Sequence, residues 1–189
     1  DSPRLARHMA ASSSSSSRVA LYYNEKMQAH THEWPHVEKA HRAAHAFDHL
    51  KKRGFVPARV DVLPGRKASD EELLTVHSQR HLDEVRRMSA AAKADPTNRE
   101  LREPDGPGGV YYSPEADSSA RLACGCVVDA ALHVLRRQAT TAARTRAPPA
   151  FAIVRPPGHH AGADDEDGHH AEVRHARAES AASHLRSPA

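Results

Sequence analysis

Aromatic residues are scarce in this sequence, at 4% of its 189 positions, and it holds only two cysteines and a single tryptophan. Any core must therefore be aliphatic and lean, drawn from the 39% of residues that are hydrophobic. The length suffices for one domain with a real core, two at the limit. A disulfide framework is excluded: Cys124 and Cys126 are separated by one glycine inside a helical pattern and have no other partner. We read them as buried free thiols of a reducing compartment. No apolar run approaches the ~20 residues that cross a bilayer, so we expect no membrane association. Nor is there a Lys/Arg run of five, and the net charge is a mild +3. A basic face for direct nucleic-acid binding is therefore not expected.

What is present is organised from Arg18 onward. Residues 1–17 carry the run Ser12 to Ser17 and no long apolar stretch, so they read as a disordered tail rather than a secretory signal. The first residue is Asp, and Met9 is a candidate start. Val19-Ala20-Leu21-Tyr22-Tyr23 predicts a strand, and residues 24–36 a polar loop dense in histidine. A helix is predicted over 37–53, stopped by Gly54, then a strand over 56–63 ended by Pro64-Gly65. Ser69-Asp70-Glu71-Glu72 is a capping box that predicts a helix start, and a further helix covers 81–92. Residues 94–114, rich in Pro, Gly and acidic residues, form a long loop of the kind that often carries function. The longest helical pattern, 115–138, places Ala120, Cys124, Val127, Val128, Ala131, Leu132 and Leu135 along one apolar side. A last strand is predicted at 150–154. Strands alternating with helices predict parallel βαβ units.

Sixteen histidines invite metal readings. His32-Glu33-Trp34-Pro35-His36 matches the H-E-x-x-H pattern of zinc proteases, which needs both histidines on one continuous helical face. Pro35 forbids that turn, because its ring clashes and its N–H is missing. His41, His45 and His49 recur every fourth residue on the predicted helix; we read them as exposed or packing side chains, since a structural zinc wants a fourth ligand. Asp165-Glu166-Asp167-Gly168-His169-His170 has the order D-x-D-x-H-H. The small acidic residues before it offer nothing buried to hold such ligands, and we read a solvated loop.

The pair His159-His160 stands apart. It follows the apolar run Phe151-Ala152-Ile153-Val154 and the stiff Arg155-Pro156-Pro157-Gly158 exit, at the carboxyl end of a parallel strand where α/β proteins bind ligands. Gly158 allows close backbone approach to a substrate. Adjacent imidazoles disfavour double protonation, so one remains available as a base near neutral pH.

Residues 151–161 resemble the signature of zinc-dependent histone deacetylases, the class II branch above all. Residues 27–30 and 36–42 are similar to that family's early His-Pro-Glu-x-Pro-x-Arg element, with Val37 and Ala40 in place of its prolines. Residues 72–78 resemble its Glu-Leu-x-x-Val-His motif, and residues 110–114 with 120–125 its next loop and helix. The resemblance covers roughly residues 19–168. It implies an incomplete open parallel-sheet α/β fold of the arginase/deacetylase type, and hydrolysis of acetyl-lysine amides at a zinc ion. It further implies that His160 is general base and then acid, with His159 its electrostatic partner, and that Gly158 lines the acyl-lysine tunnel. An acidic residue before Tyr111 orients the substrate backbone in many members; here Gly108 falls near that place, and Asp105, three residues upstream, is the candidate for the role. Acetylated proteins such as histone tails would be substrates, corepressor proteins possible partners, and the nucleus or cytoplasm the compartment.

After Gly168 the family continues with an apolar strand ending in metal-binding Asp and His, whereas residues 169–189 are Ala, Arg, His and Ser without periodicity. We therefore expect three segments: a tail at 1–17, a partial deacetylase domain at 18–168, and a divergent, disordered tail at 169–189. The metal ligands are expected to be absent, and the chain alone to be inactive and poorly folded, with an exposed sheet edge. The alternative is a catalytically dead binding or regulatory fragment.

Overall fold

The computed structural model describes residues 18–34, 36–103, 109–140 and 149–158. Asp105, His159, His160, the 165–170 run and both expected tails lie outside the described residues. The element order is β1 (Val19–Tyr22), a 3-10 helix (Glu25–Ala29), α1 (His41–Lys52), β2 (Val60–Leu63), α2 (Asp70–Leu73), α3 (Gln79–Ala94), α4 (Arg99–Arg102), α5 (Ala116–Thr140) and β3 (Ala150–Ala152).

The three strands form one sheet in the order β2-β1-β3, with both pairings parallel as the alternation of elements predicts. Leu21 sits opposite Val62 on one side and Phe151 on the other. Being central, β1 is buried on both faces, and Ala20, Leu21 and Tyr22 form an unbroken apolar run, as parallel strands do. The core gathers these residues with Met27, Phe47, Val60, Leu122, Ala123, Cys126 and Ile153.

Local chemistry sets most boundaries. The Asn24 side chain caps the 3-10 helix by accepting the Lys26 N–H at 3.0 Å. At the end of α1, Gly54 takes φ +73° and donates its N–H to the Lys51 carbonyl at 2.9 Å, the predicted glycine stop. The start of α1 falls four residues later than the pattern suggests. Glu38 donates its N–H to His36 Nδ1 at 2.9 Å and gives its carbonyl to Arg155, so 36–38 are committed elsewhere. β2 likewise begins at Val60 rather than 56, because 56–59 turn, with the Arg59 N–H on the Phe55 carbonyl at 2.8 Å.

The Ser69/Glu72 capping box forms as predicted, yet α2 lasts one turn. The Thr75 hydroxyl takes the Glu72 carbonyl at 2.6 Å and competes with the helical ladder. The long loop contains α4, which the sequence pattern did not reveal.

α5 lies against β1, β3 and the 3-10 helix, but with a different face inward from the one its large apolar residues suggest. The buried residues are Ala116, Ser119, Leu122, Ala123, Cys126 and Ala130, whereas Val127 is 51% and Leu135 47% exposed. Close approach decides this. A Cβ on Gly65 would lie 2.0 Å from Cys126 Sγ, and one on Gly125 would lie 1.9 Å from the Arg66 carbonyl oxygen. Only small side chains fit where the 65–68 segment crosses the helix.

By length and composition, Ala116–Arg136 is also apolar enough to cross a bilayer, with mean hydropathy 1.3. That corrects the reading that no segment reaches this threshold, although here the helix packs on the sheet.

Candidate active site

β3 ends at Ala152, and the chain leaves it through buried Ile153 and Arg155 before reaching Pro156-Pro157-Gly158. Arg155 is 1% exposed. A cation placed there must be fully paired, and it is. Its guanidinium donates to the His30 carbonyl and the Tyr111 hydroxyl at close range. It also reaches the Glu38 carboxylate and the Glu38 carbonyl, each at 3.2 Å. Its backbone N–H points at Met27 Sδ, 3.5 Å away. One side chain therefore ties the strand exit to the 27–38 loop and to the 109–113 loop. These are three of the stretches that the motif reading placed in one family pattern, and they converge.

Around that guanidinium the rings pack closely. His30 stacks on Tyr111 with centroids 4.5 Å apart and 13° between planes. Its Nδ1 lies 2.8 Å from Ser113 Oγ, itself fully buried. Burial, then the Arg155 charge beside it, push the His30 imidazole down to about 3. It is neutral at any physiological pH and has a structural part rather than a proton-transfer one. Burial pushes the Tyr111 phenol up, opposed by Arg155. His36 accepts the Glu38 N–H at Nδ1 and so donates from Nε2 to the Gly109 carbonyl at 3.0 Å.

A second buried arginine, Arg102, holds the outer part of the same loop. It donates to the Thr31, Pro96 and Tyr112 carbonyls and to the Glu33 carboxylate, and stacks on Trp34 at 4.8 Å. His32, Glu33 and Trp34 lie in irregular chain, not on a helix, so the H-E-x-x-H pattern has no zinc-protease geometry. A cavity of about 320 Å³ opens beside this loop, lined among others by His32, Glu33, Arg102 and Glu115.

Gly158 is exposed, with φ +75° and, among the described residues, nothing within 4 Å of the place a Cβ would occupy. The left-handed conformation, rather than crowding within the chain, is what calls for glycine there. His159, His160 and Asp105 lie outside the described residues, so of the expected site residues only Gly158 is seen. Sequence reasoning gave no role to Arg155, Tyr111, His30 or Glu38. The available signal was an arginine directly after a buried apolar strand, which demands a prepared set of acceptors.

Neither cysteine competes as a nucleophile. Both are free thiols on α5; burial pushes Cys126 up to about 11 and raises Cys124 as well.

The histone deacetylase domain family matches residues 36–171 of this chain. The chain belongs to that family. It is 35% identical over 153 residues to the histone deacetylase clr3 of Schizosaccharomyces pombe, covering 76% of this chain and 20% of that protein. It is 34% identical over 147 residues to the human polyamine deacetylase HDAC10, covering 75% and 20%. Among solved structures, the HDA15 HD domain superposes with a TM-score of 0.59 at 27% identity, over 78% of this chain and 38% of that one. The open parallel sheet is thus that of the arginase/deacetylase-like fold, and the chain spans a fifth of the curated relatives named here.

The family implies a zinc ion. Among the described residues no three His, Cys, Asp or Glu side chains converge to hold a metal. The described donors do not fit that ion.

Proposed function

We propose that residues 18–168 form the amino-terminal part of a zinc-dependent protein lysine deacetylase domain. In this reading His159 and His160 are its proton-transfer groups, and acetylated proteins such as histone tails its substrates. The observation that carries the reading is the buried Arg155 cradle, which anchors the exit of β3 to two separate loops immediately before the paired histidines. A group that must move a proton within hydrogen-bond reach of a substrate needs a rigid support of this kind.

Hydrolysis of an acetyl-lysine amide adds water to the carbonyl and breaks the bond to the lysine nitrogen. His160 takes the proton from the attacking water and returns it to the departing amine; His159 tunes its charge. Gly158 lines the entry for the acyl-lysine chain, and Asp105 contacts the substrate backbone. A zinc ion, corepressor partners and residence in nucleus or cytoplasm belong to the same proposal, by kinship.

The test is a chimaera in which residues 18–168 replace the corresponding segment of the solved HDA15 HD domain. The chimaera should hydrolyse an acetyl-lysine peptide, and His160→Ala should abolish turnover. A folded chimaera without activity overturns the reading. The 189-residue chain alone, given zinc, should show no turnover; robust chelator-sensitive activity would refute that part.

A second reading, a catalytically dead binding or regulatory fragment, is favoured by one observation. Among the described residues Val127, Leu135 and Phe151 are exposed on α5 and β3, and exposed apolar surface can mark an interaction site.

A further inference from the structure

His41, His45 and His49 all fall on the exposed side of α1, one helical turn apart. The opposite side is anchored: Ala43 and Phe47 are buried, and Phe47 stacks on Tyr23 at 4.4 Å. The histidine row is thus carried on a fixed backbone and serves no packing role. Within it, the His41 and His45 rings lie together, with centroids 4.7 Å apart and planes tilted by 47°. Among the described residues neither ring takes part in a hydrogen bond.

That separation has a chemical meaning. With metal–nitrogen bonds of ~2.0–2.1 Å, and a further ~1.1 Å from nitrogen to ring centre, two imidazoles on one metal have centroids about 4.5 Å apart at a right angle and about 5.2 Å apart at a tetrahedral one. The observed pair falls between these limits before any metal arrives. Both side chains are exposed, so rotation about their outer torsions is free to turn one nitrogen of each ring inward.

A second observation concerns the helix itself. Ala40 precedes α1 without a side-chain cap hydrogen bond, so the first turn lacks one of the usual supports of a helix start. A bridge between positions 41 and 45 clips this turn to the next.

We propose that His41 and His45 form a surface chelate for a first-row divalent cation of borderline softness, copper(II) ahead of nickel(II) or zinc(II). Water completes the coordination. Imidazole selects such ions over magnesium and calcium, and the Irving–Williams order puts copper first. Two protein ligands make an open, reversible site, unlike a closed four-ligand structural one. Binding to the folded helix and not to the unfolded chain stabilises α1 by linkage. The site is separate from the one the deacetylase reading requires and stands whether or not that reading survives.

The experiment titrates copper(II), and separately magnesium(II), into the full 189-residue chain while the imidazole resonances are followed by NMR. Substoichiometric copper should broaden His41 and His45 together, ahead of the other histidines, and raise the thermal midpoint; magnesium should do neither. His45→Asn should weaken the first binding event at least tenfold, and His49→Asn should leave it within twofold. The double variant His45→Asn, Ala46→His, made in the His49→Asn background so that position 46 has no histidine three residues on, moves the ring off the face of His41 and should not restore binding. Positions 45 and 46 are both exposed, so these variants leave the core intact, which circular dichroism checks. Broadening that starts at other histidines, unchanged affinity in His45→Asn, or recovery in the double variant would each overturn the proposal.

Discussion

Removing the Arg155 guanidinium would strand two carbonyls, a phenol and the Glu38 carboxylate, in a place where water does not reach the arginine itself. Breaking a buried pair from one side costs about 3–5 kcal/mol, so Arg155→Met should lower the free energy of unfolding in urea by that amount. Arg155→Lys should recover little, because a single ammonium cannot span acceptors on two loops as a planar fork does. Its neighbour His30 makes stability depend on pH. The imidazole falls from 6.5 unfolded to about 3 folded, so the unfolded chain binds the extra proton between those values. Stability is whole above pH 6.5 and is lost as the pH falls toward 3, by about 3 kcal/mol between pH 7 and pH 4. Urea midpoints at the two pH values measure this, and His30→Asn should flatten the dependence.

Between elements, the crossing of α5 over the 65–68 segment sets the tolerance of the fold. Alanine at position 125 gains about 1 kcal/mol of helix propensity. Its Cβ would, however, lie 1.9 Å from the Arg66 carbonyl oxygen, and overpacking against backbone costs about 3 kcal/mol. Gly125→Ala should therefore destabilise by about 2 kcal/mol, read as a lower denaturant midpoint with unchanged slope. The same crossing explains what was and was not legible beforehand. Gly54, Ser69 and β1 were readable, because a glycine stop, a capping box and a β-branched apolar run act through their own neighbours. The inward face of α5 was not, since it is chosen by glycines some sixty positions apart rather than by its largest apolar residues. Nor was the role of Arg155: its acceptors come from loops whose meeting no local pattern announces. The motif order named stretches that meet at Arg155 while leaving their meeting unseen.

Across the whole molecule, α5 and the β3 edge present apolar surface without cover among the described residues. Phe151 is 60% exposed on a strand paired on one side only among the described residues, and Val127 and Leu135 are exposed on α5. Open edges and apolar patches drive self-association. The 189-residue chain should therefore sediment as a concentration-dependent mixture. Val127→Lys with Leu135→Lys should shift it toward monomer in analytical ultracentrifugation, with stability changed by no more than about 0.5 kcal/mol, as for surface sites. Equal association in the variant would place the sticky surface elsewhere.

The strand order carries a consequence for the making of the protein. β1 leaves the ribosome before β2 and β3, which flank it, and Ala20 must wait for Ala150. At ~5–20 residues per second, that wait is on the order of ten seconds. Throughout it, the most deeply buried strand among the described residues is half-dressed, a ready client for a nascent-chain chaperone.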